Sequence, residues 1–399
     1  MSDTDDSAAG AELDRFRAEV RTFIAANAPQ IQQRPGVRSP ETPEELAALQ
    51  RWTAQLFAAG YLGANWPQAY GGDPGYDARR DVVVAQEMAR VRALEPIAGN
   101  GLVAHALIHF GTETQQSHHL PRIRRAEEVW CQLFSEPGAG SDLASLRTRA
   151  VPDGDNGWRV SGQKVWTTNG QWSDYGFLLA RTDPDVPKHR GISAFVLDMR
   201  APGVTVRPLR EITGTSDFNE VFLDEVPISP DAMIGGPGQG WMVANAALAH
   251  ERAGVAKAVS NVEKSWYQLY DLCGRLEIDG RPAIARDDVR QQLGRFYAEL
   301  TACRAHVDAS MDRLLAGQDQ VVDAPMGKLL FSELNYALAE YGVTVQEAAG
   351  LTAGAAAADG GWWQDSWLYA RAYTIAGGSS EIMRNLIAER GLGLPREPS

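Results

Sequence analysis

Cysteine is scarce, long apolar runs are missing, and positive charge is in the minority. Three cysteines, Cys131, Cys273 and Cys303, stand far apart with no metal-type spacing. That usage excludes a disulfide framework and fits a reducing cytosol, so a cytoplasmic protein is expected. No segment approaches the roughly 18 apolar residues of a membrane span. The opening MSDTDDSAAG has neither the basic n-region nor the apolar core of a signal peptide, and residues 1–11 read as a short acidic disordered tail. Lys and Arg number 38 against 51 Asp and Glu, a formal charge of −13 with the two signs interspersed. Bulk nucleic-acid binding is not expected, and an anionic ligand must be met by local Arg, Lys or helix N-termini. Of seven histidines, His118 and His119 are adjacent. Neighbours on a helix point to different faces, so the pair reads as solvated helix residues rather than a metal site.

What is present suggests two or three domains in 399 residues, with the 44% hydrophobic and 22% charged content of an ordinary globular chain. Over residues 12–127 the signals are helical. Leu13, Phe16, Val20, Phe23 and Ile24 recur at helical spacing, residues 44–59 are dense in helix formers, and a further run spans 76–92, after a turn-rich loop at 65–72. Over 128–235 the character is β. Strands are expected at 158–161, 176–180, 192–197 and 204–206, punctuated by turns at 153–157 and 201–203. Over 236–399 the helical period returns in runs of 241–276, 285–316 and 322–348, with a shorter pair near 360–373 and 380–391. Long helices with modest connections imply an antiparallel bundle. The fold class expected is therefore multidomain α+β: a helical domain, a β-barrel-like domain, then a four-helix bundle.

Three segments carry chemistry. Phe134-Ser135-Glu136-Pro137-Gly138-Ala139-Gly140-Ser141-Asp142 is a small-residue loop whose backbone N–H groups and hydroxyls suit a polar, partly anionic ligand. Alone, it reads equally as a glycine-rich strand connection. Trp166-Thr167-Thr168-Asn169-Gly170 sets a large aromatic beside two hydroxyls, which suits a flat ring with a hydrogen-bonding edge. A tryptophan in a β segment is otherwise a core residue. In Ile375-Ala376-Gly377-Gly378-Ser379-Ser380-Glu381, Ser379 or Ser380 caps a helix and Glu381 lies in its first turn.

Together these segments resemble the acyl-CoA dehydrogenase family, and most of the chain can be laid on that pattern. The resemblance implies an FAD enzyme. In the family the positions of Phe134, Ser135, Gly140 and Ser141 meet the flavin or the acyl-CoA, Trp166 and Thr168 meet the isoalloxazine, and Ser379 and Glu381 meet the ribityl or adenosine part. Gln346 and Gly350 resemble a stretch that reaches the cofactor of a neighbouring subunit. Arg275 is a possible counterpart of an arginine with the same task, in a segment, 273–282, that departs from the family's spacing.

Many family members carry a catalytic glutamate where this chain has Gly377. A base is found instead at Glu251. Ala244, Leu248, Val255, Ala258 and Val262 stand at −7, −3, +4, +7 and +11 from it, one helix face. A carboxylate on a buried face has its pKa raised, which a general base near neutrality requires. A pair with Arg252 or another buried cation is the plain alternative. The stretch 249–253 resembles the base site of isovaleryl-CoA and long-chain acyl-CoA dehydrogenases, which also have glycine at the position of Gly377.

The resemblance then implies that Glu251 takes the α-proton and flavin N5 the β-hydride, giving a trans-2-enoyl-CoA. The Gly377 N–H and a ribityl hydroxyl would hold the thioester carbonyl, Ser141 and Arg252 would support the substrate, and an electron-transfer flavoprotein would accept electrons. A homotetramer or homodimer is expected, with a heteromer possible. Two further readings stand beside this one: a flavin oxidase or monooxygenase on the same fold, and a partner subunit of a heteromeric dehydrogenase.

Overall fold

Helix starts in the first third are written in local chemistry. Thr42 accepts from the Glu45 N–H ahead of Pro43, and Thr112 forms a reciprocal capping box with Gln115. The resulting helices are α1 (Asp3–Asn27), α2 (Pro43–Ala58), α3 (Ala78–Val91), α4 (Asn100–Phe110) and α5 (Glu113–Arg124). The computed structural model describes the chain except for residues 1, 2, 32, 33, 98, 253, 254, 319, 320 and 397–399, and gives the backbone alone for 3–9, 249–252, 255, 256 and 355. The expected disordered tail is corrected from Asp3 onward: it is the first turns of α1. Its acidic residues occupy the end of the helix where the backbone dipole favours negative charge. Val20, Ile24, Trp52, Leu56, Val84 and Met88 form the core between α1, α2 and α3.

The middle third is a sheet of β1 (Trp130–Leu133), β2 (Arg149–Pro152), β3 (Trp158–Lys164), β4 (Tyr175–Arg181), β5 (Ile192–Asp198), β6 (Val204–Leu209), β7 (Phe218–Ile228) and β8 (Met233–Ile234). Its order is β6-β7-β3-β2-β4-β5-β8, with β1 parallel beside β4. Phe177, Leu178, Leu179 and Ala180 are all buried, which marks β4 as a strand covered on both faces. Leu178 joins Leu133, Phe195 and Val221 on one face. Phe177 and Leu179 join Phe134 and the α4 residues Leu102, Val103 and Ala106 on the other.

The last third holds α6 (Gly240–Arg252), α7 (Val255–Arg275), α8 (Asp287–Leu315), α9 (Asp323–Thr344), α10 (Trp362–Tyr373) and α11 (Ser380–Leu386). The run expected at 241–276 is helical on both sides of residues 253 and 254, which lie outside the described residues. α7, α8, α9 and α10 pack on one another as the expected bundle around Leu269, Phe296, Leu300, Leu338 and Trp363. Between α7 and α8 the chain makes a small hairpin, β9 (Glu277–Ile278) with β10 (Arg281–Pro282). Its Asp279-Gly280 turn has φ of 52° and 73°, the left-handed pair that a two-residue hairpin needs.

One side chain ties the three parts together. Arg38 donates to Asp217 of the β domain and, through both oxygens, to Asp365 of α10, each at 2.9 Å, and stacks 4.6 Å from the Tyr369 ring centroid. Asp217 receives the Ser39 N–H as well, at 2.8 Å.

Candidate active site

β1 delivers Phe134 into the core between the sheet, α4 and α6, and the loop that follows turns back on itself. Glu136 and Ala139 exchange both backbone hydrogen bonds, at 3.1 and 3.0 Å, so Pro137 and Gly138 form the tip. A Cβ added at Gly138 or Gly140 meets no atom of the chain within 4 Å. These glycines therefore answer to no packing constraint among the described residues. They leave the backbone open to an approaching ligand, and Ser141 is exposed beside them.

The loop is held from behind by a pair absent from the expected site. Lys164, with no exposed surface, donates from Nζ to the Phe134 carbonyl at 3.0 Å and to Glu136 Oε1 at 2.8 Å. Glu136 also accepts the Arg147 and Thr148 N–H groups at 2.6 and 2.9 Å. Burial pushes the Glu136 carboxyl up, but Lys164 and these donors outweigh it and hold it below its ordinary value. Burial pulls the Lys164 ammonium down to about 8, against the pull of Glu136.

Lys164 ends β3, and two residues later Trp166 stands in a left-handed conformation, φ 60°, with 60% of its surface exposed. The Val165 N–H bonds to the Ser135 carbonyl at 2.9 Å, which fixes Trp166 beside the glycine loop. An exposed tryptophan on a conformation that L-residues rarely adopt is not serving the core. Thr168 is half-buried next to it. Thr167 exchanges two backbone bonds with Asn219, while its hydroxyl is buried without a partner among the described residues. Asn169 accepts from the Ser39 hydroxyl at 2.6 Å, so the segment is continuous with the Arg38 network.

That network leads to the third segment. Tyr369, under Arg38, contacts Tyr373 with centroids 5.4 Å apart, and the chain then enters 374–379. Gly377 has φ 68° and nothing within 4 Å of a built Cβ, and Gly378 has φ 103°. Lys328 donates to the Gly378 carbonyl at 2.6 Å, Ser379 caps α11, and Glu381 lies in its first turn. Lys328, Arg38, Lys164 and Glu136 were missed by sequence reasoning. Their partners lie far along the chain: Lys164 and Glu136 are 28 residues apart, Lys328 and Gly378 50, and Arg38 and Asp217 179.

α6 carries Glu251 and Arg252 at its end, and the side chains of both lie outside the described residues. The helix body is described: Val243, Ala244 and Ala247 are buried in the same core as Phe134, which aligns α6 with the glycine loop.

The remaining expected residues are engaged elsewhere. Gln346 is buried just past α9 and donates to the Gly342 carbonyl of that helix. Gly350 accepts from Gln364 at 2.9 Å, and a Cβ there would meet the Val343 carbonyl at 2.1 Å. Arg275 pairs with Asp359 at 2.9 Å. All three are tied to the bundle rather than to the β-domain loops. The expectation for His118 and His119 is also corrected. Both rings reach Glu128, at 3.8 and 2.9 Å, because that carboxylate enters between them from the chain before β1. The three side chains could bring one ligand atom each to within 4.8 Å of the others. Glu128 already receives Trp130 Nε1 at 3.1 Å and has Arg122 3.9 Å away, so the group stands as a hydrogen-bonded ion cluster.

The open glycine tip, the exposed Trp166 and the left-handed Gly377 fit a flat cofactor with a polar tail. Comparison with known proteins agrees. The chain matches the acyl-CoA dehydrogenase N-terminal domain over residues 10–127, the middle domain over 131–226 and the C-terminal domain over 238–392. It is 40% identical to acyl-CoA dehydrogenase IpdE1 of Mycobacterium tuberculosis, covering 97% of this chain and 99% of that protein. The solved Tcur3481-Tcur3483 steroid ACAD is 28% identical with a TM-score of 0.85, over 97% of this chain and 98% of that one. The ChsE4-ChsE5 complex from Mycobacterium tuberculosis is 27% identical with a TM-score of 0.82, over 97% and 98%. The chain therefore belongs to the acyl-CoA dehydrogenases, FAD-dependent oxidoreductases that act on acyl-CoA.

Proposed function

We propose that this chain removes the α-proton and β-hydrogen of an acyl-CoA thioester to leave the trans-2-enoyl-CoA, with Glu251 as the base. The observation that carries the reading is the exchange of base positions. Gly377, where many relatives hold a glutamate, has no titratable group, while α6 runs through the core of Phe134 and carries Glu251 one residue before Arg252. The bound flavin supplies the acceptor for the β-hydrogen. Trp166, Thr168 and the 134–142 loop hold its ring and phosphates, and Ser379 and Glu381 meet its ribityl or adenosine part. The Gly377 N–H, presented by a left-handed glycine, stabilises the enolate oxygen as it forms. Ser141 and Arg252 support the thioester. An electron-transfer flavoprotein is the acceptor this reading calls for. The three free, buried cysteines support a reducing cytoplasm, and no described helix is long and apolar enough to cross a membrane.

The acyl group we propose is bulky and ring-bearing, in line with the steroid enzyme among the solved relatives. A second point favours a heteromer over a homo-oligomer. Gln346 and Arg275, the residues expected to grip a neighbour's cofactor, are both committed to contacts within the chain.

Anaerobic mixing of the purified flavoprotein with a panel of acyl-CoAs tests the reading, with absorbance followed at the visible flavin band. Bleaching by one substrate class is expected, and Glu251→Gln should keep flavin while losing about 100-fold or more of the rate. A variant that bleaches as fast as the parent would remove Glu251 from the mechanism.

A further inference from the structure

The loop that joins α10 to α11 is bonded at its ends and open in its middle. Its Ala376 and Ser380 N–H groups bond to the Ala372 and Thr374 carbonyls, at 2.8 and 3.0 Å. The Gly377 N–H between them meets no acceptor among the described residues, and the residue is exposed. Gly377 and Gly378 are left-handed in succession, and glycine loses more conformational freedom on ordering than any other residue. A Cβ built at Gly377 meets no atom within 4 Å, so packing does not hold that conformation. At Gly378 it would meet Met383 Cε at 2.4 Å. The direction of the Gly377 N–H is therefore set through the peptide that follows it.

One side chain grips that peptide. Lys328 of α9, only 8% exposed, donates from Nζ to the Gly378 carbonyl at 2.6 Å. Burial pulls its ammonium below the ordinary lysine value, against the more distant pull of Glu333 and Glu381. Glu333, on the same helix, is taken by the Ser380 hydroxyl at 2.7 Å and by Arg384 at 3.4 Å. A nearly buried ammonium is costly, and the bond described for this one goes to a single backbone carbonyl. Water would satisfy that carbonyl at less cost but would not fix it in place.

We propose that Lys328 is a positioning residue: by holding the Gly378 carbonyl it aims the Gly377 N–H at the thioester oxygen, and so acidifies the α-proton that Glu251 removes. The proposal rests on the dehydrogenase reading above. Lys328 acts through Gly377 and touches no reacting atom. A hydrogen bond aimed at the enolate oxygen strengthens as charge develops there and weakens steeply when misaligned. The neutral carbonyl of the bound substrate gains less from the same donor, so the effect falls on deprotonation more than on binding.

The test uses an acyl-CoA with sulfur in place of its β-carbon, bound to the FAD-loaded enzyme. Its α-proton can leave but no β-hydride can follow. The pH at which it ionises, read from the absorbance of the enolate against the flavin, therefore reports how well the carbonyl oxygen is stabilised. Lys328→Met should bind flavin and analogue as the parent does, yet ionise the analogue about one pH unit or more higher, tenfold in acidity. The reduction potential of the flavin without ligand should not move, because a bond that works through Gly377 does nothing before the thioester arrives. Should Lys328→Met lose its flavin, Lys328→Gln, polar but one bond shorter, takes its place in both measurements with the same expectation. Ionisation at the parent's pH overturns the proposal. So does a potential that shifts as far as the ionisation, which would assign the effect to the charge of Lys328 rather than to its grip on the loop. In either case a parent that ionises the analogue and is bleached by an acyl-CoA keeps the dehydrogenase reading. A parent that does neither overturns both.

Discussion

Lys164–Glu136 and Arg275–Asp359 are cation–carboxylate pairs of nearly equal length, 2.8 and 2.9 Å, in opposite surroundings. The first leaves 0% and 7% of its side chains exposed; the second leaves 61% and 30%. Both touch residues expected to hold the cofactor. The buried pair stands behind the glycine loop and Trp166, where a shift of the backbone would move every proposed flavin contact in the β domain. The exposed pair sits at the hairpin after α7 and constrains little. On the proposed site, the contrast teaches that the β-domain loops are backed by a buried ion pair, while Arg275, proposed to face a neighbour, is held only by an ordinary surface contact.

The sharpest way to break that contrast is to remove one member of the buried pair. Lys164→Met strands the Glu136 carboxylate in the interior and takes the donor from the Phe134 carbonyl. Loss of about 3–5 kcal/mol is expected, read as a large fall in Tm together with loss of bound flavin. Lys164→Met with Glu136→Gln should recover much of the stability, because no unpaired charge remains. If the double variant also regains flavin, the pair acts only by avoiding a buried charge. If it is stable but colourless, the pair positions the loop. A single variant as stable and as yellow as the parent would end the argument.

How much of this was legible in the sequence follows the same division between local and distant partners. The three-part layout could be read because each part has its own hydrophobic period. β3, β4 and β5 lie within a few residues of the expected strands, since turns rich in Gly, Pro, Asp or Asn bracket them. β7, with Pro227 and three acidic residues among eleven, offered no such pattern, and its place comes from pairing with β3 and β6. The glycine loop and the Trp166 segment could be recognised as short motifs. The left-handed backbone of Trp166 could not, because nothing in the residue itself favours it. Arg38 was invisible for another reason: its acidic partners lie 179 and 327 residues away.

Between the two extremes lies Glu87, whose carboxylate is 3% exposed while Arg17, Arg21 and Arg90 reach it from solvent. Hydrogen bonding to Arg21 outweighs burial and, with the other two arginines, brings its pKa down from 4.5 to about 2. A depressed carboxyl contributes stability that is fully present above its unfolded value and is lost as pH falls toward the folded one. The window here is therefore pH 4.5 down to about 2. Glu87→Gln should be less stable than the parent by roughly 2 kcal/mol at neutral pH, a figure reduced for the solvent around the arginines. In acid titrations of the two proteins the gap should narrow through that window. A gap independent of pH would assign the effect to shape and hydrogen bonding, and would place Glu87 beside the exposed pair instead of between the two.

The smallest effect is expected at Arg275, and its smallness is informative. An exposed ion pair is worth less than about 1 kcal/mol, so Arg275→Ala should leave Tm almost unchanged. The flavin content of the isolated chain should also stay unchanged, because Arg275 is held by Asp359 and not by the loops of the β domain. Added salt should weaken the pair in the parent to the same extent, since charges this exposed are screened. The opposite result would carry more weight than its size suggests. If Arg275→Ala empties the site of flavin without lowering Tm, the arginine leaves Asp359 on assembly to reach a cofactor across the interface. The exposed pair would then be a resting contact of a residue that works on the neighbouring subunit, and the neighbour-facing half of the site would be complete.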